Sequence, residues 1–371
     1  MRGRGVRYAS AAVLFLVLTA VILILPCQAE SDLFSDEEIN ALIPEEVRDR
    51  LGDGYDSQKP VFDGADAFFD AVGEQVSALF PSLTAAFASL FGFLLLSSAL
   101  SALRKEIVSP SLARLQEMLS VVCLTALLYG RIDPLLQSVL SFLETVTVFV
   151  SSLLPYMTLL TASGGNAVTA ASQSAGLLLA LTLVENLCIY ALSPLIKVSL
   201  TLAIADSFSP LLDLSPVLSL IKKVYSFLLA SAMSLLSIVL LFQNALSLSA
   251  DNAAARGMKF AGSFVPVVGS SLGDAVRTVL SGLSVVKGTL GYLGLAVVFL
   301  LVLPVFLSLV LQKLALMTAK TAADVMGMKE EGSAIGRFGD ILSLMLAAVC
   351  SAAVIFVIAF ALFVSMTYAA A

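Results

Sequence analysis

Residues 290–311 read LGYLGLAVVFLLVLPVFLSLVL, an apolar run without a charged side chain. At ~1.5 Å of rise per residue a helix of this length crosses the ~30 Å hydrocarbon core of a bilayer. Lipid offers no water to satisfy backbone N–H and C=O groups, so a spanning segment must satisfy them internally. The run shows no two-residue alternation, which excludes a barrel strand and leaves a helix.

The same pattern recurs outward along the chain. Further apolar runs occupy residues 83–103, 118–130, 142–160, 177–196, 224–246 and 341–364. The second of these is too short to cross alone unless the charged stretch 112–117 extends it. Residues 198–220 are ambiguous, because Asp206, Pro210, Asp213 and Pro216 interrupt apolar sequence. A broken or re-entrant element lined by protein tolerates such interruptions better than a lipid-facing helix. Across its 371 residues the chain is 59% hydrophobic and 13% charged, beyond the apolar share of a water-soluble domain. The fold expected is all-α, a polytopic integral membrane helical bundle of about six to eight spans.

The N-terminus has the three parts of a signal peptide. Arg2, Arg4 and Arg7 precede an apolar stretch at 9–25, and Pro26-Cys27-Gln28-Ala29 follows with small residues at the −3 and −1 positions. Cleavage after Ala29 is expected, which divides the chain into a signal peptide (1–29), an acidic extracytoplasmic segment (30–80) and a multi-spanning membrane domain (81–371). Between Glu30 and Glu74 there are fourteen acidic residues against Arg48, Arg50 and Lys59. Phe68, Phe69, Val72, Val76, Leu79 and Phe80 recur at helical spacing there, with Asp66, Asp70 and Glu74 on another face, so an amphipathic helix leads into the first span. The run 83–103 ends at Arg104-Lys105, and positive charge marks a cytoplasmic end. If residues 198–220 cross as well, Lys222, Lys223 and a loop at 313–337 become cytoplasmic, and a long loop at 247–289 faces outside.

The residue inventory excludes several chemistries. The chain has no histidine, which removes the commonest general base and the commonest transition-metal ligand. Cys27, Cys123, Cys188 and Cys350 lie far apart and suggest neither a disulfide framework nor a thiolate metal site. Nothing calls for a cofactor, and no clustered basic face suits a nucleic acid. Gly269-Ser270-Ser271-Leu272-Gly273 fits G-x-S-x-G, but the strand-turn-helix context and an activating histidine are both missing. A Ser271 and Lys287 dyad is the catalytic alternative. The simpler role for Gly269 and Gly273 is a small-xxx-small face for close helix approach, and Gly288, Gly291 and Gly294 extend that logic into the next span. Acidic groups in or beside spans are Asp133, Glu144, Glu185, Asp206 and Asp213, with Lys197 nearby. Glu185 and Asn186 are the most deeply placed, as candidate intramembrane polar residues. Burial in protein or a wet cavity is expected for such groups, either on a polar path or in an interhelical hydrogen bond.

From Lys259 to Gly294 the sequence reads KFAGSFVPVVGSSLGDAVRTVLSGLSVVKGTLGYLG. It resembles the stage III sporulation protein AE family of endospore-forming bacteria in its Phe-Val-Pro-Val-Val-Gly stretch (264–269), its Gly-Asp-Ala-Val turn into a helix (273–276) and its Lys287-Gly288 pair before the next span. The resemblance implies a non-enzymatic membrane component on the mother-cell side of a channel or secretion-like complex linking mother cell and forespore. It implies as partners the other stage III A operon proteins and the forespore protein Q complex, with membrane lipid around the chain. On that resemblance Pro266, Gly269, Gly273, Asp274, Lys287, Gly288, Gly291 and Gly294 are candidates for assembly or conduit lining. The alternative is an independent small-solute transporter or permease, suggested by the proline-broken segment and the acids within spans.

Overall fold

The computed structural model describes residues 43–45, 47–48, 64–104, 110–163, 167–208, 215–262 and 269–368. The signal peptide, most of the acidic segment, Asp213 and Pro266 lie outside the described residues. The described secondary structure is helical: α1 (Gly64–Arg104), α2 (Pro110–Ser163), α3 (Ala167–Leu183), α4 (Leu192–Phe208), α5 (Ser215–Gly262), α6 (Gly269–Val325) and α7 (Lys329–Tyr368). Between α3 and α4 the chain continues as a π-helical stretch, Val184–Ala191. Six of the described helical stretches are long and apolar enough to cross a membrane, so the chain has the make-up of a multi-pass membrane protein.

Four elements differ from the sequence expectation, among them the loop expected at 313–337, which is the end of α6, a tight turn and the start of α7. The amphipathic helix at 68–80 and the first span form one helix, α1, which passes through Pro81. The short run 118–130 and the run 142–160 join into the single helix α2, in spite of Gly130, Arg131, Asp133 and Pro134 between them. The reason lies in its inward stripe. Leu124, Leu128, Ile132, Leu136, Val139, Leu143, Val146, Val150, Leu153, Met157 and Leu160 are all buried, at steps of three and four residues that continue through the polar stretch. Arg131 and Asp133 flank Ile132 on other faces, so the helix keeps its core contact while the charges point elsewhere. Its candidate span Met118–Ser163 is 46 residues, or roughly 69 Å, about twice the bilayer core. The third difference is the expected loop at 247–289, which is helical on both sides of residues 263–268: α5 extends to Gly262 and α6 starts at Gly269.

The opening stretch is the centre of the bundle. Every residue of 295–303 is buried, which requires neighbours on all sides of α6. The most extensive packing is with α7, whose Phe338, Met345, Val349, Phe356 and Phe360 are buried in the same core. The apolar stretches of α6 and α7 are mostly buried, whereas those of α1 and α5 are mostly exposed and carry Leu95, Leu96, Phe227 and Leu235 on the outer surface. In a bilayer that outer apolar surface is at home, since lipid tails are as apolar as leucine.

The hairpin between α6 and α7 is closed by glycine. Gly327 has φ +77°, a left-handed conformation that costs an L-residue roughly 1–2 kcal/mol. Met328 N–H donates to the Ala323 carbonyl at 2.9 Å and Gly327 N–H to that of Asp324 at 3.2 Å. These bonds satisfy the last carbonyls of α6, and Met328 tucks into the core beside Ala323.

Candidate functional site

At the tip of that hairpin a carboxyl group is buried. Glu331 lies in the first turn of α7 and is 5% exposed. The positive end of the helix dipole favours an acid at that position. Ser120 of α2 donates its hydroxyl to Glu331 Oε1 at 2.8 Å, and Ser97 of α1 approaches the same oxygen at 3.5 Å. The two serine hydroxyls are 2.7 Å apart. Three helices distant in sequence therefore meet at one polar node. A second tie joins the same hairpin of α1 and α2, where Arg131 donates to the Ala85 carbonyl at 2.9 Å and to Ser89 Oγ at 2.7 Å. None of Glu331, Ser97, Ser120 or Arg131 is singled out by the sequence. Gly327-Met328 before Lys-Glu-Glu is a local signal for a turn into a helix start, but nothing local announces the serines.

The node also fixes which helix ends meet. Ser97 lies toward the Arg104 end of α1. Glu331 therefore places the hairpin between α6 and α7, with Lys320, Lys329 and Arg337, at that end of α1. Removing the shortest donor tests the node. Ser120→Ala is expected to lower stability by about 1–3 kcal/mol, because a buried carboxyl group loses a partner, while Ser120→Thr keeps most of it. Thermal unfolding of the detergent-solubilised protein reads the difference, and equal midpoints for Ser120→Ala and the parent protein would mean the node carries no stability.

The glycines fall into two groups. A Cβ at Gly294 would lie 2.6 Å from Phe360 Cζ and 2.9 Å from Cδ1, and one at Gly291 would collide with Val364 and come 3.2 Å from Phe363 Cδ1. Both therefore sit where α6 and α7 approach too closely for any side chain, in a seam inside this chain. Gly269, Gly273 and Asp274 open α6 several turns before that seam, and Lys287 and Gly288 lie about one turn before it. Ser271 is likewise on helical backbone.

Glu185 and Asn186 occupy the π-helical stretch, near the middle of the candidate span Val168–Ser199. Such wide turns recur at functional positions. Both are exposed on the surface of this chain. The wide turn directs them outward, where Tyr190 donates its hydroxyl to Glu185 Oε1 at 3.3 Å and Asn186 Nδ2 donates to the Thr182 carbonyl at 2.7 Å. Lys197 and Glu144 are exposed too. Among the described residues no group of His, Cys, Asp and Glu has the arrangement of a metal site.

Comparison with known proteins agrees with this architecture. Stage III sporulation protein AE of Bacillus subtilis (strain 168) is 30% identical over 156 residues, which cover 42% of this chain and 39% of that protein. No solved structure matches the chain. The family described as Stage III sporulation protein AE matches residues 65–367, from the start of α1 to the end of α7. With its helices matched over that length, the chain belongs to the stage III sporulation protein AE family, whose name implies a role in sporulation.

Proposed function

We propose that the chain is a non-enzymatic component of a channel or secretion-like complex in the mother-cell membrane around the forespore, required for late forespore development. Its partners in this proposal are the other stage III A operon proteins and, across the intermembrane space, the forespore protein Q complex. The observation that carries it is the family match over 65–367. The outward-facing Glu185 supports it, because an ionisable group near mid-span is costly against lipid and favours a covering partner. Extraction of the tagged full-length chain from sporulating cells under mild detergent tests it. Co-isolation of stage III A proteins is expected; a lone protein that takes up a small solute would mean the transporter alternative is correct.

The catalytic alternative has its own test. The chain lacks histidine, and Ser271 and Lys287 lie on the same helix roughly 24 Å apart along its axis, too far for the lysine to activate the hydroxyl. Ser271→Ala is expected to leave spore counts near those of the parent strain. A complete block of sporulation at normal protein abundance would restore a catalytic role for this serine.

A further inference from the structure

Three helices change from apolar to charged at one place. The apolar run of α5 starts directly after Lys222 and Lys223, that of α6 ends just before Lys313, and that of α7 starts directly after Asp340. Lys222 and Asp340 form an ion pair between α5 and α7. Lys313 of α6 is half-buried and lies close enough for the charges of both to act on it. Apolar runs end where lipid headgroups begin, so this cluster marks headgroup depth. Asp340 follows Glu331 on α7 by nine residues, roughly 13 Å along the axis, on the membrane side of the tip node.

The charges in the cluster do not balance. Lys222 and Lys313 share a single aspartate, with Lys223 next in the chain, and like charges held together in a partly dehydrated site favour an added anion. The face beside them supplies a second element. Lys223 is exposed, Phe227 follows it one turn deeper and is 71% exposed, and Val224 is exposed next to them. A cationic patch at headgroup depth thus continues into an open apolar track at acyl-chain depth. A phospholipid with an anionic headgroup has both complementary parts, whereas a free phosphate ion has only the first.

We propose that Lys222, Lys223 and Lys313 form a binding site for the headgroup of an anionic phospholipid, with an acyl chain along Val224 and Phe227 of α5. Asp340 holds Lys222 in place and limits the affinity by competing for it. The site is independent of the sporulation complex and can be tested on the isolated full-length protein. Titrating the detergent-solubilised chain with phosphatidylglycerol should raise its unfolding temperature, an effect that phosphatidylcholine and inorganic phosphate do not reproduce. Lys223→Gln and Lys313→Gln should each weaken the apparent affinity about fivefold, while Lys329→Gln at the exposed start of α7 leaves it unchanged. Asp340→Asn frees Lys222 and should tighten binding, a gain that damaged folding cannot produce. Unchanged affinity in both lysine variants, or an equal response to phosphatidylcholine, would overturn the site. An equal response to inorganic phosphate would show a soluble-anion site in place of a lipid one.

Discussion

Gly294→Leu is expected to leave little folded protein in the membrane. The α-carbon of Gly294 faces the ring of Phe360, and a Cβ alone would stand well inside van der Waals distance of three ring atoms. Phe360 is itself buried, so its ring has nowhere to retreat. Overpacking a filled core costs about 1–3 kcal/mol, and a contact this close to backbone belongs at the upper end or beyond. That is a large part of a total stability of roughly 5–15 kcal/mol. The cost falls on the central pair of helices, so it weakens the whole bundle. Gly294→Ala should sit between the parent and Gly294→Leu, and Phe360→Ala should recover part of the loss in the leucine background by opening space. Retention of folded protein after heating in detergent, measured across these four chains, checks the order. A leucine variant that melts with the parent would mean that α6 and α7 do not meet at this seam.

Gly269→Leu is expected to fail differently. Gly269 opens α6, many turns before the seam at Gly291 and Gly294. A leucine there leaves the apolar runs and their flanking charges intact, and those govern insertion. We expect normal accumulation in the membrane, loss of co-purification with partner proteins, and a fall of spore counts to near background as forespore development stalls. The reasoning is that small residues at 269 and 273 let another helix approach closely, as they do at 291 and 294 within the chain. Normal co-purification and ordinary spore frequency would remove this segment from assembly. The two variants together separate folding from assembly, since one should lose the protein and the other should lose only its partners.

What the sequence by itself determined is the class of the protein and where its helices lie. A run such as 290–311 has one stable solution in hydrocarbon, and that constraint acts locally, on each segment alone. The family was likewise legible, in the short stretch around Pro266 and Gly269, because tight glycine and proline spacing is more distinctive than apolar sequence. Glu185 and Asn186 stood out as polar residues deep in a span, but their outward direction did not, since it depends on a π-helical turn that no hydropathy pattern encodes.

Only the tertiary structure decided which faces meet. Segments that are apolar all round carry little record of their neighbours, so Gly291 and Gly294 could be recognised as close-approach positions without any sign that Val364 and Phe360 stand opposite. The joining of two runs into α2 was hidden for a related reason: Arg131 and Asp133 read as a break in one dimension, yet Ile132 between them completes a stripe visible only once the neighbouring core is in place. The clearest case is Glu331, whose hydroxyl partners lie 211 and 234 residues away in the chain. A buried carboxyl group needs donors from somewhere, but sequence cannot say from where, because that choice is made by the packing of α7 against α1 and α2.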